Sequence, residues 1–221
     1  MRKLLTIILL TCLSAPIFAQ DIETVEVKNA PNGKFTLALP DRVIEGVVAN
    51  GLKEGTWVEY SSGSFLPRHI VNYENGKKNG VFVEIDKTGS IVKKASYKND
   101  MLDGQVCEWF RGGRLTSMNT YKNGQLDGEQ IACYEKGGKL EVSNYKDGLR
   151  DGLTTWFYES GQKKMSIEYK DGKFDGKQQT FYPDGSLKSE ASYKNGALQG
   201  KVTTYAAPPQ SQQTDQQKKK H

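Results

Sequence analysis

Tyrosines stand at Tyr73, Tyr97, Tyr121, Tyr145, Tyr169 and Tyr193, 24 residues apart at every step. Seven positions after each comes a glycine: Gly80, Gly104, Gly128, Gly152, Gly176 and Gly200. Sixteen positions after, Gly89, Gly113, Gly137, Gly161 and Gly185 form a second series. A fixed period of this length excludes most folds, because each copy must be a small supersecondary unit that buries its surface against its neighbours. An eroded copy holding Asn50, Gly51, Gly55, Trp57 and Tyr60 precedes the series, one residue out of step.

Within a copy, short runs alternate between apolar and polar residues, as Leu187 to Tyr193 does, and this is the pattern of a half-buried strand. Just after the tyrosines come Asn75-Gly76, Asn123-Gly124, Asp147-Gly148, Asp171-Gly172 and Asn195-Gly196, with Asn99-Asp100 the departure. Such pairs suit a two-residue type I′ turn, whose central residues both need positive φ. A tight turn there sets each tyrosine opposite the residue five positions on: Lys78, Leu102, Leu126, Arg150, Phe174 or Leu198. The glycine-rich ends, such as Pro183-Asp184-Gly185, close the other side of each hairpin. The expected fold is therefore all-β, an elongated single-sheet solenoid of antiparallel hairpins. The first strand carries aromatics on both parities, Trp109, Phe157 and Phe181 on one and Phe110, Tyr158 and Tyr182 on the other. That leaves the buried face open, since a one-residue slip exchanges the faces. The copy with Gly137-Gly138 displaces Leu140 and Val142 by one, which predicts a bulge there.

The flanks differ from the repeats. Residues 1–19 read as a secretory signal, with Arg2 and Lys3 ahead of an apolar run from Leu4 to Leu13 and cleavage near Ala19. Lipid attachment at Cys12 is the competing reading of the same segment. The apolar run is short of the roughly 20 residues a spanning helix needs. Residues 20–45 are read as an N-terminal β cap, with Thr24 to Val27 and Phe35 to Leu39 as strands. The repeats occupy 46–205. From 206 to 221 the chain lacks bulky apolar residues and reads as a disordered tail. The formal charge is +5, of which Arg2 and Lys3 supply two units, so +3 remains without the signal. Three of the remaining charges are Lys218, Lys219 and Lys220, so the folded part is nearly neutral and has no nucleic-acid-binding character. Cys107 and Cys133 fall on strands separated by a third strand. Their Cα atoms should lie about 12 Å apart, beyond the roughly 7 Å a disulfide spans, so both are expected as free, largely buried thiols.

Little in the chain suggests catalysis. Its two histidines, His69 and His221, have no placed partners, and no nucleophile motif, phosphate loop or metal-ligand spacing occurs. His69 is read as a surface residue. No catalytic, metal or cofactor residue is assigned, and the protein is not expected to be an enzyme. The recurring Asp-Gly pairs are read as turn chemistry in preference to calcium ligation. The six tyrosines and the six glycines seven positions on are read as structural. Trp109, Phe157, Phe181 and Tyr205 recur at one strand position and are either hairpin core or, if exposed, a binding ladder.

The unit Tyr-Lys-Asn/Asp-Gly followed by Asp-Gly is carried by Tyr121 to Gly128, Tyr145 to Gly152 and Tyr169 to Gly176. With two aromatics and a later glycine, it resembles the bacterial variant of the membrane occupation and recognition nexus (MORN) repeat, over roughly residues 46–205. The resemblance implies an antiparallel sheet of hairpins used as an interaction scaffold. Members of the variant family are described as antitoxin components, and the eukaryotic form is linked to membranes. The expected function is an exported, non-enzymatic scaffold for a protein partner in the bacterial envelope or outside the cell. The alternative is an antitoxin or immunity-type protein that neutralises a toxin by direct binding. Membrane-surface attachment is the weaker alternative, resting on the three terminal lysines.

Overall fold

The computed structural model describes residues 19–209. The expected signal therefore lies almost wholly outside the described residues, as do Cys12 and the tail from residue 210 on. The chain divides into two units, one ending at Gly104 and including Arg111–Gly113, the other holding Gln105–Phe110 and the chain from Arg114.

The first unit opens with α1 (Ala19–Asn29) and continues as β1 (Gly33–Ala38), β2 (Arg42–Ala49), β3 (Leu52–Ser61), β4 (Pro67–Glu74), β5 (Lys77–Ile85), β6 (Ile91–Lys98) and the short β7 (Met101–Leu102). Each strand pairs antiparallel with the strand before and after it in sequence, in a meander. The second unit contains β8 (Gly104–Trp109, less Gly104), β9 (Leu115–Lys122), β10 (Gln125–Cys133), β11 (Lys139–Lys146), β12 (Leu149–Arg150), β13 (Gly152–Phe157), β14 (Lys163–Lys170), β15 (Lys173–Phe181), β16 (Leu187–Lys194) and β17 (Ala197–Thr204). From β9 on it is again a meander of sequential antiparallel neighbours.

The turns set the register. Asn75, Asn123, Asp147, Asp171 and Asn195 all take φ between 48° and 51°, each followed by a glycine at positive φ. Asn99-Asp100 keeps the same geometry without glycine, at 50° and 67°. Asp100 is held there because its carboxylate accepts the Lys78 N–H at 2.8 Å while its own N–H donates to the Lys78 carbonyl at 2.9 Å. The short side chain of Asp makes this left-handed conformation accessible. The resulting cross-turn pairs are Tyr73↔Lys78, Tyr97↔Leu102, Tyr121↔Leu126, Tyr145↔Arg150, Tyr169↔Phe174 and Tyr193↔Leu198.

On the strand's other side the tyrosine meets a glycine of the preceding copy: Gly55↔Tyr73, Gly80↔Tyr97, Gly128↔Tyr145, Gly152↔Tyr169 and Gly176↔Tyr193. These glycines sit beside register shifts, where one strand turns through a bulge. At Gly176 the φ of 129° and the Glu168 Cβ, 2.8 Å from where a Cβ would stand, together demand glycine.

One expectation needs correction here, and another is extended. Thr24 to Val27 is not a strand but part of α1. In a strand Val25 and Val27 would share a face, yet Val27 is buried and Val25 is 55% exposed. Glu23, Val27 and Ala30 follow helical spacing instead. Val27 and Ala30 pack on Ile44, Val48 and Trp57, while Glu23 pairs with Lys53 and Arg42. The cap thus covers a sheet face with a helix. The bulge expected in the copy with Gly137-Gly138 is present between Ala132 and Cys133, and equivalent shifts occur between Glu84 and Ile85, Trp156 and Phe157, and Thr180 and Phe181. The bulge belongs to the repeat and not to one irregular copy. Cys107 and Cys133 are free but half-buried, more open than expected, and burial raises the Cys133 thiol pKa.

Candidate binding groove

The bulge resolves the two aromatic parities. The first aromatic ends the strand, and the second leaves it to close the loop. In three successive copies this second position is Tyr134, Tyr158 and Tyr182. Each tyrosine N–H donates to the carbonyl four residues on, at Gly138, Gln162 and Ser186, over 2.8–3.0 Å. Each carbonyl accepts the N–H of Gly137, Gly161 or Gly185. The backbone of every such tyrosine is therefore pinned on both sides.

The phenols are pinned as well. Tyr134 Oη donates to the Phe157 carbonyl at 2.7 Å, Tyr158 Oη to the Phe181 carbonyl at 2.8 Å and Tyr182 Oη to the Tyr205 carbonyl at 3.1 Å. Each bond joins one copy to the next. Burial pushes the Tyr158 phenol pKa up, which keeps it a protonated donor. Lys164 Nζ lies 5.8 Å from the centre of the Tyr158 ring, and Lys188 Nζ lies 5.5 Å from that of Tyr182. Cation–π contacts of this range contribute about 0.5–1 kcal/mol at exposed sites.

Beside this row runs a groove of about 450 Å³, lined chiefly by Tyr134, Trp156, Tyr158, Met165 and Phe181, with Lys164 and Lys188 at its sides and no acidic residue in its wall. The Trp156 indole N–H donates to Glu141 at 2.9 Å, and Glu141 is engaged in turn by Arg150 at 2.6 Å. The Arg150 guanidinium packs over Tyr145, Trp156 and Tyr169, with ring centres 5.5–5.7 Å away. This network fixes the Trp156 indole in the groove wall and engages the Glu141 carboxylate beside it.

A larger hollow of about 910 Å³ lies in the first unit between α1 and the sheet face bearing Trp57, Tyr73 and Phe82. Both of its carboxylates are paired, Glu23 with Lys53 and Arg42 and Glu59 with His69 and Arg68. It is the packing space of the helical cap, and its aromatic wall is the local core. The second-unit groove is the better candidate, because its cations have no acidic partner in the wall.

The structure disperses the residues singled out from sequence. The repeat tyrosines and their glycines lie in the cross-strand pairs already described; Tyr169, Phe174 and Tyr193 stack edge-to-face with centres 5.1 and 5.3 Å apart. The Gly104 Cα faces Ser96, whose Cβ would lie 3.1 Å from an added methyl. Gly200 stands on β17 with open space beside it. Trp109, Phe157 and Phe181 are half-buried and Tyr205 is 39% exposed. Phe157 and Phe181 line the groove and, like Tyr205, offer their carbonyls to the phenols of the preceding copy. The ladder is therefore shared between this position and its neighbour in sequence, which carries the pinned rings. Sequence reasoning placed Tyr158 and Tyr182 in the right series but not in this role. The available signal was the recurrence of a hydroxyl-bearing aromatic at 134, 158 and 182 where the earlier copy has Phe110.

His69 also departs from expectation. It is not a surface residue but half-buried, 3.4 Å from Glu59 and stacked on Phe82 at 5.7 Å. Its hydrogen bond, outweighing the cost of burial, holds the Glu59 carboxyl below its usual range. Among the aspartates, Asp151 accepts Lys170 Nζ at 2.7 Å and Asp175 accepts Lys194 Nζ at 2.9 Å. Both also reach the backbone N–H of the next copy's turn, and the lysine hydrogen bonds lower both carboxyl pKa values. Asp147 and Asp171 themselves occupy the positive-φ turn position. Among the described residues, no group of three or more His, Cys, Asp or Glu is arranged to hold a metal ion.

The groove coincides with the stretch that a comparison with protein families recognises. The MORN repeat variant matches residues 150–171 and 174–195. These two matched stretches contain Trp156, Phe157, Tyr158, Lys164, Met165, Phe181 and Lys188, and so most of the groove wall. No curated protein matches the chain. MORN repeats are generally associated with protein or membrane binding, and the antiparallel β-hairpins of the chain are consistent with a repeat of that architecture.

Proposed function

We propose that the protein is an exported, non-catalytic scaffold that binds another protein along the groove of its second unit. The row Tyr134, Tyr158 and Tyr182 carries this reading, because its rings are fixed by backbone and phenol hydrogen bonds before any partner arrives. Preorganised aromatics lose little entropy on binding, which makes such positions effective anchors. The basic start and apolar run of residues 1–19 support export. Membrane attachment has less support: three terminal lysines contribute about 1 kcal/mol each at an anionic surface, and stable anchoring generally needs a second signal.

Affinity capture from the native envelope, with the wild-type chain and a Tyr158→Ala/Tyr182→Ala variant side by side, tests the reading. A partner retained by the wild type and lost by the variant is expected; identical recoveries from both would overturn it. The same capture addresses toxin neutralisation, which the repeat resemblance suggests: a toxin domain among the groove-dependent partners would decide for it. Mass spectrometry of the native protein tests export, with an N-terminus near Gln20 expected and an intact Met1 counting against it.

A further inference from the structure

The groove has a built-in length scale. Tyr134 and Tyr158 line it, and Tyr182, under the lining residue Lys188, continues their row; all three occupy the same loop position in consecutive hairpins, so successive rings are two strand spacings apart, about 9.4–9.8 Å. A polyproline II helix rises about 3.1 Å per residue with three residues per turn, which repeats every ~9.3 Å. A β-strand repeats every ~6.6–6.8 Å and an α-helix every ~5.4 Å, and neither step matches the ring row. Over the two steps from Tyr134 to Tyr182 the mismatch with polyproline II stays at or below about 1 Å, within the reach of side-chain adjustment.

Charge defines the ligand further. Lys164 and Lys188, both exposed, recur at the same step, and the groove wall holds no acid. We infer that the groove takes a polyproline II segment of a partner protein, with its prolines against the tyrosine rings and an acidic residue every third position facing the lysines. The inference rests on the protein-binding reading above and names the ligand class of the same groove. Aromatic-lined grooves suit such segments because the ligand is already extended and loses little freedom on docking. Each turn of the ligand then meets one copy of the repeat, so affinity should grow with ligand length up to the span of the three rings.

Fluorescence anisotropy of the full chain with labelled peptides of Pro-Pro-Glu, Pro-Pro-Gln and Pro-Pro-Lys repeats is the test. Pro-Pro-Glu should bind tightest and Pro-Pro-Lys at least about tenfold more weakly. Tyr158→Ala/Tyr182→Ala should weaken Pro-Pro-Glu by about tenfold or more. Lys164→Gln/Lys188→Gln, a surface change that leaves the rings in place, should erase the preference for Glu over Gln. Absence of binding by all three peptides, or equal binding of Glu and Lys forms, would overturn the inference. Binding of an acidic oligosaccharide such as polygalacturonate in place of the peptides would also overturn it. If the peptides fail while envelope capture still depends on Tyr158 and Tyr182, only the ligand class is wrong. If capture shows no such dependence, the protein-binding reading falls as well.

Discussion

Single residues carry the repeat in two different ways, by steric exclusion and by reach. Gly46 has ordinary backbone geometry, but a Cβ there would run into the Trp57 ring. Gly46→Ala must displace a core tryptophan and should cost about 1–3 kcal/mol, read as a lower denaturation midpoint with an unchanged m-value. Tyr158 shows reach. Tyr158→Phe keeps the ring and removes only the bond to the Phe181 carbonyl, so a loss of about 0.5–1.5 kcal/mol is expected in urea unfolding. A loss as large as that of Tyr158→Ala would show that the hydroxyl holds the loop by more than one bond. The first of these roles was hidden in the sequence: Gly46 lies in the eroded copy, and its partner is eleven residues away on a neighbouring strand. The second was half visible, because an aromatic series can be read off the chain whereas its hydroxyl's target depends on a bulge that no residue type announces.

Turns join copies through side chains as well as through strands. Asp151 and Asp175 reach forward to the turns at Asp171 and Asn195 and to Lys170 and Lys194. Hydrogen bonds to Thr88 and Ser186 lower the Asp86 and Asp184 carboxyls in the glycine-end loops. All four carboxyls are depressed in the folded chain. Their contribution is present above the ordinary aspartate range and is lost as pH falls through the depressed values. The melting temperature should therefore hold from neutral pH to about pH 4 and fall below it. Asp151→Asn/Asp175→Asn should flatten that fall, and an unaltered acid limb would remove the account. The type I′ turns were legible in the Asn-Gly and Asp-Gly pairs because only a few residues tolerate positive φ, and spacing from the turn then gave the cross-strand partners. Helix α1 was not legible. Thr24 to Val27 alternates over four residues, too few to separate a two-residue period from a helical one, and only the face-sharing of Glu23, Val27 and Ala30 decides it.

At the scale of the molecule, the strands of the second unit from β9 on pair with strands nearby along the chain, β11 reaching past the two-residue β12 to β13, so protection should be graded and not uniform. Thr154, Thr155, Ser166 and Ile167 place the buried centre on β13 and β14, whereas every residue of β17 is exposed. Native-state hydrogen exchange should find the slowest amides of this unit on β13 and β14 and the fastest on β17; equal protection throughout would imply a single cooperative block. The period made this architecture readable from the sequence, since it reduced the problem to one copy, but the position of the groove followed only from where the bulge sends the second aromatic. The phenol link also has a hereditary consequence. It spans a fixed stretch of chain and touches only the next copy, so excision of residues 146–169 would join Tyr145 to Lys170 in frame and bring Tyr134 to the carbonyl of Phe181 in place of Phe157. Unequal recombination within the gene can thus add or remove whole copies while keeping the same kind of phenol–carbonyl link between them, and the number of anchoring rings becomes a trait on which selection can act.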